Sequence, residues 1–304
     1  MEVKYLNNSE LHRGKWDDAI GNANNGNLYA SSWYLDIVSP GWSALILPDY
    51  SMVMPLTTKR KYGFHYIFRP LLCQQLGVFS LSDPGEKEIG EFINSIPKKF
   101  RLIQYCLNSQ NKVPQEHRPI MHSTFELNLN QAHEALRSSY SDNHRRNIKK
   151  GERMNFHLEQ NISSESFIEL LRDDVSPGSK ILSSGGKLLT LISLIEEMKA
   201  RDAAYIPGIL NRDGKLLAAV LFGKSHKTWY YLVPVSSEEG KAGRSIFLLI
   251  DDLINKRSGN NETLDFEGSD IPGLAKFYSG FGAGQVSYPE IRKNTLPWPV
   301  KLLK

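Results

Sequence analysis

Long apolar runs and cysteines are both scarce in this 304-residue sequence. No stretch approaches the roughly 18 uninterrupted apolar residues that a membrane-spanning helix needs, and residues 1–5 lack the apolar segment of a signal peptide. The sequence therefore predicts a cytoplasmic protein without a membrane span. Only two cysteines occur, Cys73 and Cys106, and they form no CxxC pair. This predicts two buried thiols rather than a disulfide framework or a cysteine zinc site.

Established ligand motifs are absent as well. The eight histidines include no HExxH motif and no i,i+4 pair, so no metal site is predicted. Neither GxxxxGK[ST] nor GxGxxG occurs, which excludes two common phosphate-binding loops. The formal net charge of +4 suits anionic ligands such as nucleotides. It falls short of the dense positive charge of a dedicated nucleic-acid-binding protein.

Length and composition predict a globular protein with two domains. A chain of 304 residues exceeds what one hydrophobic core usually serves. Hydrophobic residues make up 40% of the chain and charged residues 23%, a balance that gives no case for wholesale disorder. We place the domain change near residue 130, which gives domains of residues 1–130 and 131–304. The oligomeric state is not predicted.

The first half is rich in strand patterns. Residues 42–68 alternate short apolar runs with turn residues, which is typical of strands joined by tight turns. A helix is predicted over residues 86–96 and a strand over residues 102–107. Strict alternation over residues 123–130 predicts a further strand with an apolar and a polar face. The apolar face carries Phe125, Leu127 and Leu129, and the polar face carries Thr124, Glu126 and Asn128.

The second half alternates helices and strands, which predicts an α/β architecture. A helix over residues 133–154 contains a basic run, and Ser166 and Glu169 have the spacing of a capping box for the next helix. Asp213 and Gly214 predict a tight turn between two strands, because this dipeptide readily adopts positive φ angles. The remaining elements are predicted as a helix over residues 187–201, a strand over 228–235, a helix over 246–257, a strand over 263–266 and a helix over 272–278.

The strand, loop and helix over residues 231–255 are the strongest local signal for a ligand. Unpaired amides at a helix N-terminus favour a phosphate, and residues with small side chains let a pyrophosphate approach the backbone. Two cations in the loop add positive charge, and Ser245 is predicted to cap the helix. The predicted cofactor-binding loop consists of Gly240, Lys241, Ala242, Gly243, Arg244 and Ser245. The alternative for the same residues is a glycine turn and a serine cap before a core helix.

This order of elements from residue 216 to residue 282 resembles the core of acyl-CoA N-acyltransferases of the GNAT type. The string of residues 273–283 is similar to the closing motif of Fem-like proteins. It also resembles the tyrosine-containing end of simpler GNAT enzymes, in which that tyrosine often protonates the leaving thiolate. The resemblance implies this acid role for Tyr278. The usual [RQ]xxGx[GA] loop is represented by residues 237–242, with Ser237 in place of its first residue.

A broader resemblance covers both halves of the chain. Residues 141–150 together with residues 264–269 resemble the tandem-domain acyltransferases of the Fem type. The resemblance implies two tandem GNAT-like domains with mixed sheets flanked by helices, and a cofactor site in the C-terminal domain. Members of this group move acyl groups from coenzyme A, or attach amino acids from aminoacyl-tRNA to cell-wall precursors.

Acyl transfer to an amine needs a base, an acid and donors for the oxyanion. Asp265 and Glu267 are two residues apart beside a strand, so we expect both on one face, where one accepts the amine proton or binds an ammonium group. The alternative is that they cap the following turn and helix. The backbone of Val235 is expected to align the thioester.

Further candidates concern the acceptor and the donor. The predicted substrate-binding residues are Arg145, Arg146, Lys149 and Tyr231. The three cations could bind phosphate, a sugar-nucleotide or tRNA, although charged helix faces are usually solvated. Tyr231 could border an acyl or sugar pocket, although aromatic residues in strands more often serve the core.

The predicted activity is N-acyl transfer from acyl-CoA to an amine acceptor such as an amino sugar, an amino acid or a peptide. Two alternatives remain open at this point. One is a Fem-type aminoacyl transferase that uses aminoacyl-tRNA, and the other is a non-catalytic protein that retains the fold and binds a ligand.

Overall fold

A computed structural model describes residues 1–268 and 270–298. Ser269, which belongs to the motif quoted above, and residues 299–304 lie outside these ranges. The chain divides into two compact units. Unit 1 contains residues 1–123 and the described residues from 286 onward, and unit 2 contains residues 124–285. The division at residue 130 stays a prediction.

Unit 1 contains strands of two sheets and three α-helices among its described residues. Its helices are α1 (Arg13–Asn22), α2 (Ser32–Val38) and α3 (Glu86–Asn94). Its strands are β1 (Lys4–Leu6), β2 (Ser43–Ile46), β3 (Met52–Leu56), β4 (Thr58–Lys61), β5 (Phe64–Ile67), β6 (Phe79–Ser80) and β7 (Phe100–Cys106). Strands β1, β2, β3 and β6 form an antiparallel sheet in that order. In the second sheet β5 pairs antiparallel with β4 and parallel with β7.

Unit 2 contains most of the helices. They are α4 (His133–Ser138), α5 (Asp142–Glu152), α6 (Ser164–Asp173), α7 (Pro177–Leu182), α8 (Gly185–Ala200), α9 (Glu238–Ala242), α10 (Ser245–Arg257) and α11 (Pro272–Ser279). The strands of the remaining chain are β8 (Ile120–Asn128), β9 (His157–Glu159), β10 (Ala204–Tyr205), β11 (Gly208–Leu210), β12 (Leu216–Ser225), β13 (Thr228–Ser236), β14 (Thr263–Asp265) and β15 (Gly284–Asn294). A unit boundary falls inside β8 and another inside β15. In unit 1, the end of β15 pairs antiparallel with β7.

The sheet of unit 2 follows the order β8, β14, β13, β12, β11, β9, and β10 also pairs with β12. The pairs are antiparallel except β13 with β14, which is parallel, so the sheet is mixed as predicted. The predicted turn joins β11 to β12, and Gly214 has a φ of +76° there. The Asn211 side chain accepts hydrogen bonds from the N–H groups of Asp213 and Lys215, which closes the turn.

Strands β13 and β14 separate after a short pairing. They pair at Thr228 with Thr263, at Trp229 with Leu264 and at Tyr230 with Asp265. Strand β14 then ends, whereas β13 continues for six residues to Ser236. Over those residues the described chain gives β13 a strand partner, β12, on one side only. A strand edge of about 20 Å is therefore open within unit 2.

Two helix predictions were wrong in detail. The expected helix over residues 133–154 is two helices, because the side chain of Ser141 accepts from His144 N–H and starts α5 as its N-cap. The predicted capping box at Ser166 is wrong, since Ser163 is the N-cap of α6 and accepts from Ser166 N–H. In both cases an upstream serine adopts an extended backbone and bonds three residues ahead.

Helix α10 forms the centre of the unit 2 core. Leu249, Ile250 and Leu253 are buried in this core, and Ile246 is partly buried against it. In unit 1, Cys73 and Cys106 are free and buried, as the sequence predicts. Within the described ranges, no helix is long and apolar enough to cross a membrane.

Candidate active site

Asp265 is the last residue of β14, at the point where β13 and β14 separate. Its carboxylate is buried, and Oδ1 accepts hydrogen bonds from Thr124 Oγ1 at 2.6 Å and from Glu267 N–H at 2.9 Å. Glu126 lies directly across from it on β8. Because paired residues of neighbouring strands share a face, two carboxyl groups approach each other here.

Burial makes these carboxyl groups reluctant to ionise. Desolvation raises the pKa of Asp265 to about 7 and that of Glu267 to about 8. The pKa of Glu126 is raised for the same reason. Glu267 has a left-handed backbone with φ of 58°, and its buried Oε1 has no hydrogen-bond partner among the described residues. Groups with such values near neutral pH can exchange protons with a substrate.

Tyr278 of α11 packs close to this pair. Its ring stacks on Phe266 at 5.3 Å and meets the edge of Tyr231 at 6.1 Å between centroids. Desolvation, with the nearby charges of Glu267 and Asp265, raises the pKa of Tyr278 to about 12. The pKa of buried Tyr231 is also raised, by desolvation and by Tyr278. Both phenols are therefore protonated at neutral pH.

The structure thus brings together the three predicted catalytic residues and Tyr231. It adds Thr124 and Glu126, which sequence reasoning did not assign to a site. Their signal was present, because the alternation of residues 123–130 places both on the polar face of β8. What the alternation cannot show is the partner strand, and the register of Glu126 opposite Asp265 comes only from the fold.

The open edge of β13 has few free donors. Ser237 N–H donates to the Leu217 carbonyl, so alternation directs the backbone N–H and carbonyl of Val235 towards β12. The groups that face the open edge belong to Pro234 and Ser236. Pro234 has no N–H, and Ser236 N–H donates to Asp174 at 3.3 Å. Carbonyl groups therefore dominate this edge.

The predicted phosphate loop is largely a helix. Residues 238–242 form α9, and its N-cap Ser237 accepts from Gly240 N–H through its side chain. The N–H groups of Lys241, Gly243 and Arg244 donate to carbonyl groups of the same turn. These N–H groups therefore already have hydrogen-bond acceptors within the protein. A pyrophosphate at this point would have to compete with those bonds.

Both glycines of this turn are explained by close packing. A Cβ at Gly240 would lie 2.4 Å from the Leu217 carbonyl oxygen, and one at Gly243 would lie 2.4 Å from the Phe156 ring. Such distances are far inside van der Waals contact. The absence of a side chain at these positions serves the fold before any ligand is considered.

Lys241 is already paired. Its Nζ lies 3.2 Å from Asp174 Oδ1 and 2.9 Å from Glu238 Oε1. Burial alone would raise the pKa of Asp174, but hydrogen bonds from Ser176, Ser179, Lys241 and Ser236 hold it below its usual value. The Lys241 ammonium thus balances a buried carboxylate.

The side of α9 that faces its N-cap is acidic. A cavity of about 680 Å³ there is lined by Ser237 and by four carboxylates with a single lysine, Lys215. The carboxylates are Glu159, Glu169, Asp173 and Glu238. Their negative charge disfavours a phosphate on this side.

The N-terminus of α10 is a better place for an anion. Its N-cap is Arg244, in a left-handed conformation with φ of 61°, and no side chain caps the helix. The prediction that Ser245 is the cap was wrong, because Ser245 is already helical and its buried Oγ has no partner among the described residues. The positive end of α10 is therefore not neutralised by a side-chain acceptor.

Helix α5 runs beside this turn, since a Cβ on Gly151 would touch Leu248 and the Gly243 carbonyl. Arg145 does not project freely, because it donates to the Ser138 and Tyr140 carbonyl groups and to Asp142. The exposed cations of this helix and the residue after it are Arg146, Lys149, Lys150 and Arg153. Spacings of three and four residues place them on one side.

Within the part of the chain that is described, no group of three or more histidine, cysteine or acidic side chains could hold a metal ion.

No family model and no curated protein sequence matches the chain. Solved structures match it over nearly its whole length. FemX has a TM-score of 0.69 at 13% identity and covers 100% of this chain and 99% of its own. This chain has a tandem GNAT-like fold, as FemX does.

Two further structures show the same fold. A tandem GNAT protein from the clavulanic acid biosynthesis pathway, solved without AcCoA, has a TM-score of 0.54 at 10% identity and covers 97% of this chain and 99% of its own. L-PGS from Bacillus licheniformis has a TM-score of 0.56 at 12% identity, with coverage of 95% and 94%. The predicted α/β class, with mixed sheets flanked by helices, is confirmed. Identities this low establish the tandem GNAT fold alone.

Proposed function

We propose that this protein transfers an acyl group from an activated donor to an amine. The observation that carries the proposal is the cluster of Asp265, Glu267 and Tyr278 where β13 and β14 separate. Two carboxyl groups with pKa values of about 7 and 8 lie beside a phenol with a pKa of about 12. Acyl transfer to an amine needs such a base and such an acid.

Each group has a defined role. The Asp265 carboxylate accepts the proton of the attacking amine, because its pKa near neutrality keeps part of it ionised and part ready to hold a proton. Glu267 in its ionised form binds the amine as an ammonium ion before deprotonation, because the ammonium charge offsets the desolvation that otherwise favours the neutral acid. The amine nitrogen then attacks the acyl carbonyl carbon, and the bond to the leaving sulfur or oxygen breaks. Tyr278 gives its hydroxyl proton to that leaving atom, and the proton still carried by the attacking nitrogen passes to the Tyr278 oxygen, which leaves a neutral amide.

The donor proposed first is acyl-CoA. Its acyl arm would lie along the open edge of β13, and its pyrophosphate would lie at the N-terminus of α10 beside Arg244. The uncapped helix and the exposed guanidinium support this position. The similarity to a tandem GNAT protein whose name mentions AcCoA agrees with this choice. Gly240, Lys241, Ala242 and Gly243 then shape the turn rather than bind phosphate.

A thermal-shift titration with acetyl-CoA and longer acyl-CoAs tests this donor, because a ligand of the native state raises Tm by mass action. We expect a saturable shift that Arg244→Gln weakens. Lys241→Gln is the matched control, since Lys241 is paired internally and should leave the shift in place. Absence of any shift at millimolar acyl-CoA would reject this donor.

Aminoacyl-tRNA is the second candidate donor, favoured by the exposed cations along α5. Four cations exceed what one pyrophosphate needs, and they suit a longer phosphate backbone. Binding of charged tRNA that weakens steeply with salt and is lost in Arg146→Gln/Lys149→Gln would support it. Failure of both donors would leave a ligand-binding protein without turnover.

A further inference from the structure

A cavity of about 670 Å³ lies in unit 1, apart from every residue assigned above. It is framed by the end of α3, the start of β7, the 3-10 helix Gln115–His117 and the end of β15. Its volume falls within the roughly 300 to 1,000 Å³ that small-molecule sites occupy. The cavity is therefore large enough for a compact organic ligand.

The lining of this cavity is strongly basic. One carboxylate, Glu116, lines it together with six basic side chains. The basic residues are Lys98, Arg101, His117, Arg118, Arg292 and Lys293. Two of these have acidic partners, since Arg292 pairs with Glu290 and His117 lies 3.5 Å from Glu116. The other four make no ion pair within the described residues.

Strand register explains why two of these cations meet. Lys293 of β15 lies opposite Ile103 of β7, and Ile291 lies opposite Tyr105. Because side chains alternate along a strand, Arg101 shares the face of Ile103, and Lys293 shares the face of Ile291. One sheet face thus presents two cations at its end and an apolar floor beside them.

Two loop segments complete the ring of charge. Lys98 follows α3, and Arg118 follows the 3-10 helix with a left-handed φ of 50°. The buried Nε2 of His117 has no hydrogen-bond partner among the described residues. The helix end of α3 contributes only about half a negative charge, which one cation would offset. Four cations exceed that requirement.

We propose that this cavity is a binding site for a small phosphorylated molecule. Phosphoryl oxygens would accept hydrogen bonds from the two guanidinium and two ammonium groups. The apolar floor of Ile103 and Ile291 would contact the organic part. The site does not depend on the proposed acyl transfer, because it uses no residue of unit 2.

Isothermal titration of the full chain with pyrophosphate and with ADP tests the proposal. We expect saturable binding of both that weakens with salt, with ADP tighter because the floor contacts its organic part. Arg101→Gln/Lys293→Gln should weaken binding about ten-fold or more, since charge-assisted hydrogen bonds are lost. Both side chains are exposed, so unchanged Tm would confirm an intact fold.

Neighbouring lysines offer a matched control. Lys98 lines the cavity, whereas Lys99 places its Nζ over the ring of Tyr5 at 4.4 Å. Lys98→Gln should weaken binding and Lys99→Gln should not. Equal loss in both would indicate diffuse electrostatic attraction and overturn the site. Absence of binding at millimolar probe would also overturn it, as would binding only to vesicles that contain phosphatidate.

Discussion

Two regions of unit 2 were predicted to belong to the site, one as catalytic and the other as cofactor-binding, and their environments in the fold are opposite. At the end of β14, Asp265 is buried and Glu267 is half-buried, desolvation raises the pKa of both, and the buried Oε1 of Glu267 has no partner among the described residues. At the turn from α9 to α10, the charge of Lys241 is balanced and the N–H groups of Gly240, Lys241, Gly243 and Arg244 are bonded internally. Raised pKa values near neutrality are typical of reactive sites, so we propose that the first region carries the chemistry and that the second, with its hydrogen bonds and charges paired internally, supports the fold.

The largest expected effect comes from removing the base. Asp265→Asn keeps an acceptor for Thr124 and for Glu267 N–H but cannot take a proton. We expect kcat/KM for acyl transfer to fall by about 10² to 10⁴. Steady-state kinetics with the amine found in an acceptor screen would measure this, and Lys241→Gln should retain most activity. If Lys241→Gln lost activity and Asp265→Asn retained it, the turn from α9 to α10 would be the reactive region instead.

Removal of the acid should have a smaller effect. Tyr278→Phe preserves the stacking on Phe266 and loses only the hydroxyl. We expect kcat to fall about 10² because the leaving atom departs without a proton. A donor with a better leaving group should recover part of the loss. Unchanged turnover with the natural donor would remove Tyr278 from the mechanism.

Stability should separate the two regions by pH. Asp265 and Glu267 have raised pKa values in the folded state, so folding favours their protonated forms. The loss of folding stability that comes from ionising these two carboxyl groups is absent below about pH 4. It grows as pH rises and is complete above about pH 8. Glu267→Gln should therefore raise Tm at pH 9 and leave it nearly unchanged at pH 4. An equal shift at both pH values would contradict the burial of this charge.

Ionisation of Asp265, which lowers stability as pH rises, should raise activity over the same pH range. A base must be ionised to act, so kcat/KM should rise as pH increases through about 7. Asp265→Asn should flatten that limb of the profile. A rise that survives in this variant would assign the base elsewhere.

A local packing test has the smallest expected effect on chemistry. Gly280 ends α11, and a Cβ there would lie 2.0 Å from the His144 ring, whereas Gly273 of the same helix has open space. Gly280→Ala should lower the free energy of unfolding by about 1–3 kcal/mol, because the added methyl group overpacks this site. Gly273→Ala should leave the free energy of unfolding unchanged. Chemical denaturation would measure both. Equal stability would show that His144 can move aside.

The sequence predicts side-chain patterns better than it predicts hydrogen-bond partners. Alternation placed Thr124 and Glu126 on one face, and the strand signal at residues 263–266 placed Asp265 within a short strand, of which it is the last residue in the structure. The register that sets Glu126 opposite Asp265 pairs residues 126 and 265, which are 265 − 126 = 139 positions apart along the chain. Local patterns carry no information about that pairing.

Backbone amides were the harder case. Glycine and serine at residues 236–245 fit a phosphate loop as well as a short helix, because both need small residues and a cap. In the fold, Asp174 accepts hydrogen bonds from Ser236 N–H and from Lys241 Nζ, which stabilises the short helix. Asp174 is remote in sequence, so the local pattern does not reveal these bonds. The side chain of Arg145 was likewise committed to carbonyl groups of the preceding turn.

Pro234 gives the open edge of β13 a consequence for self-association. An unpaired strand edge can recruit a strand from another copy, which is a common route to aggregation. Pro234 has no N–H, and the N–H of Ser236 already donates to Asp174. A strand from a second chain could therefore form only part of the backbone hydrogen bonds of a β-sheet here. The open edge of β13 can thus remain accessible to a small ligand without promoting aggregation of the chains.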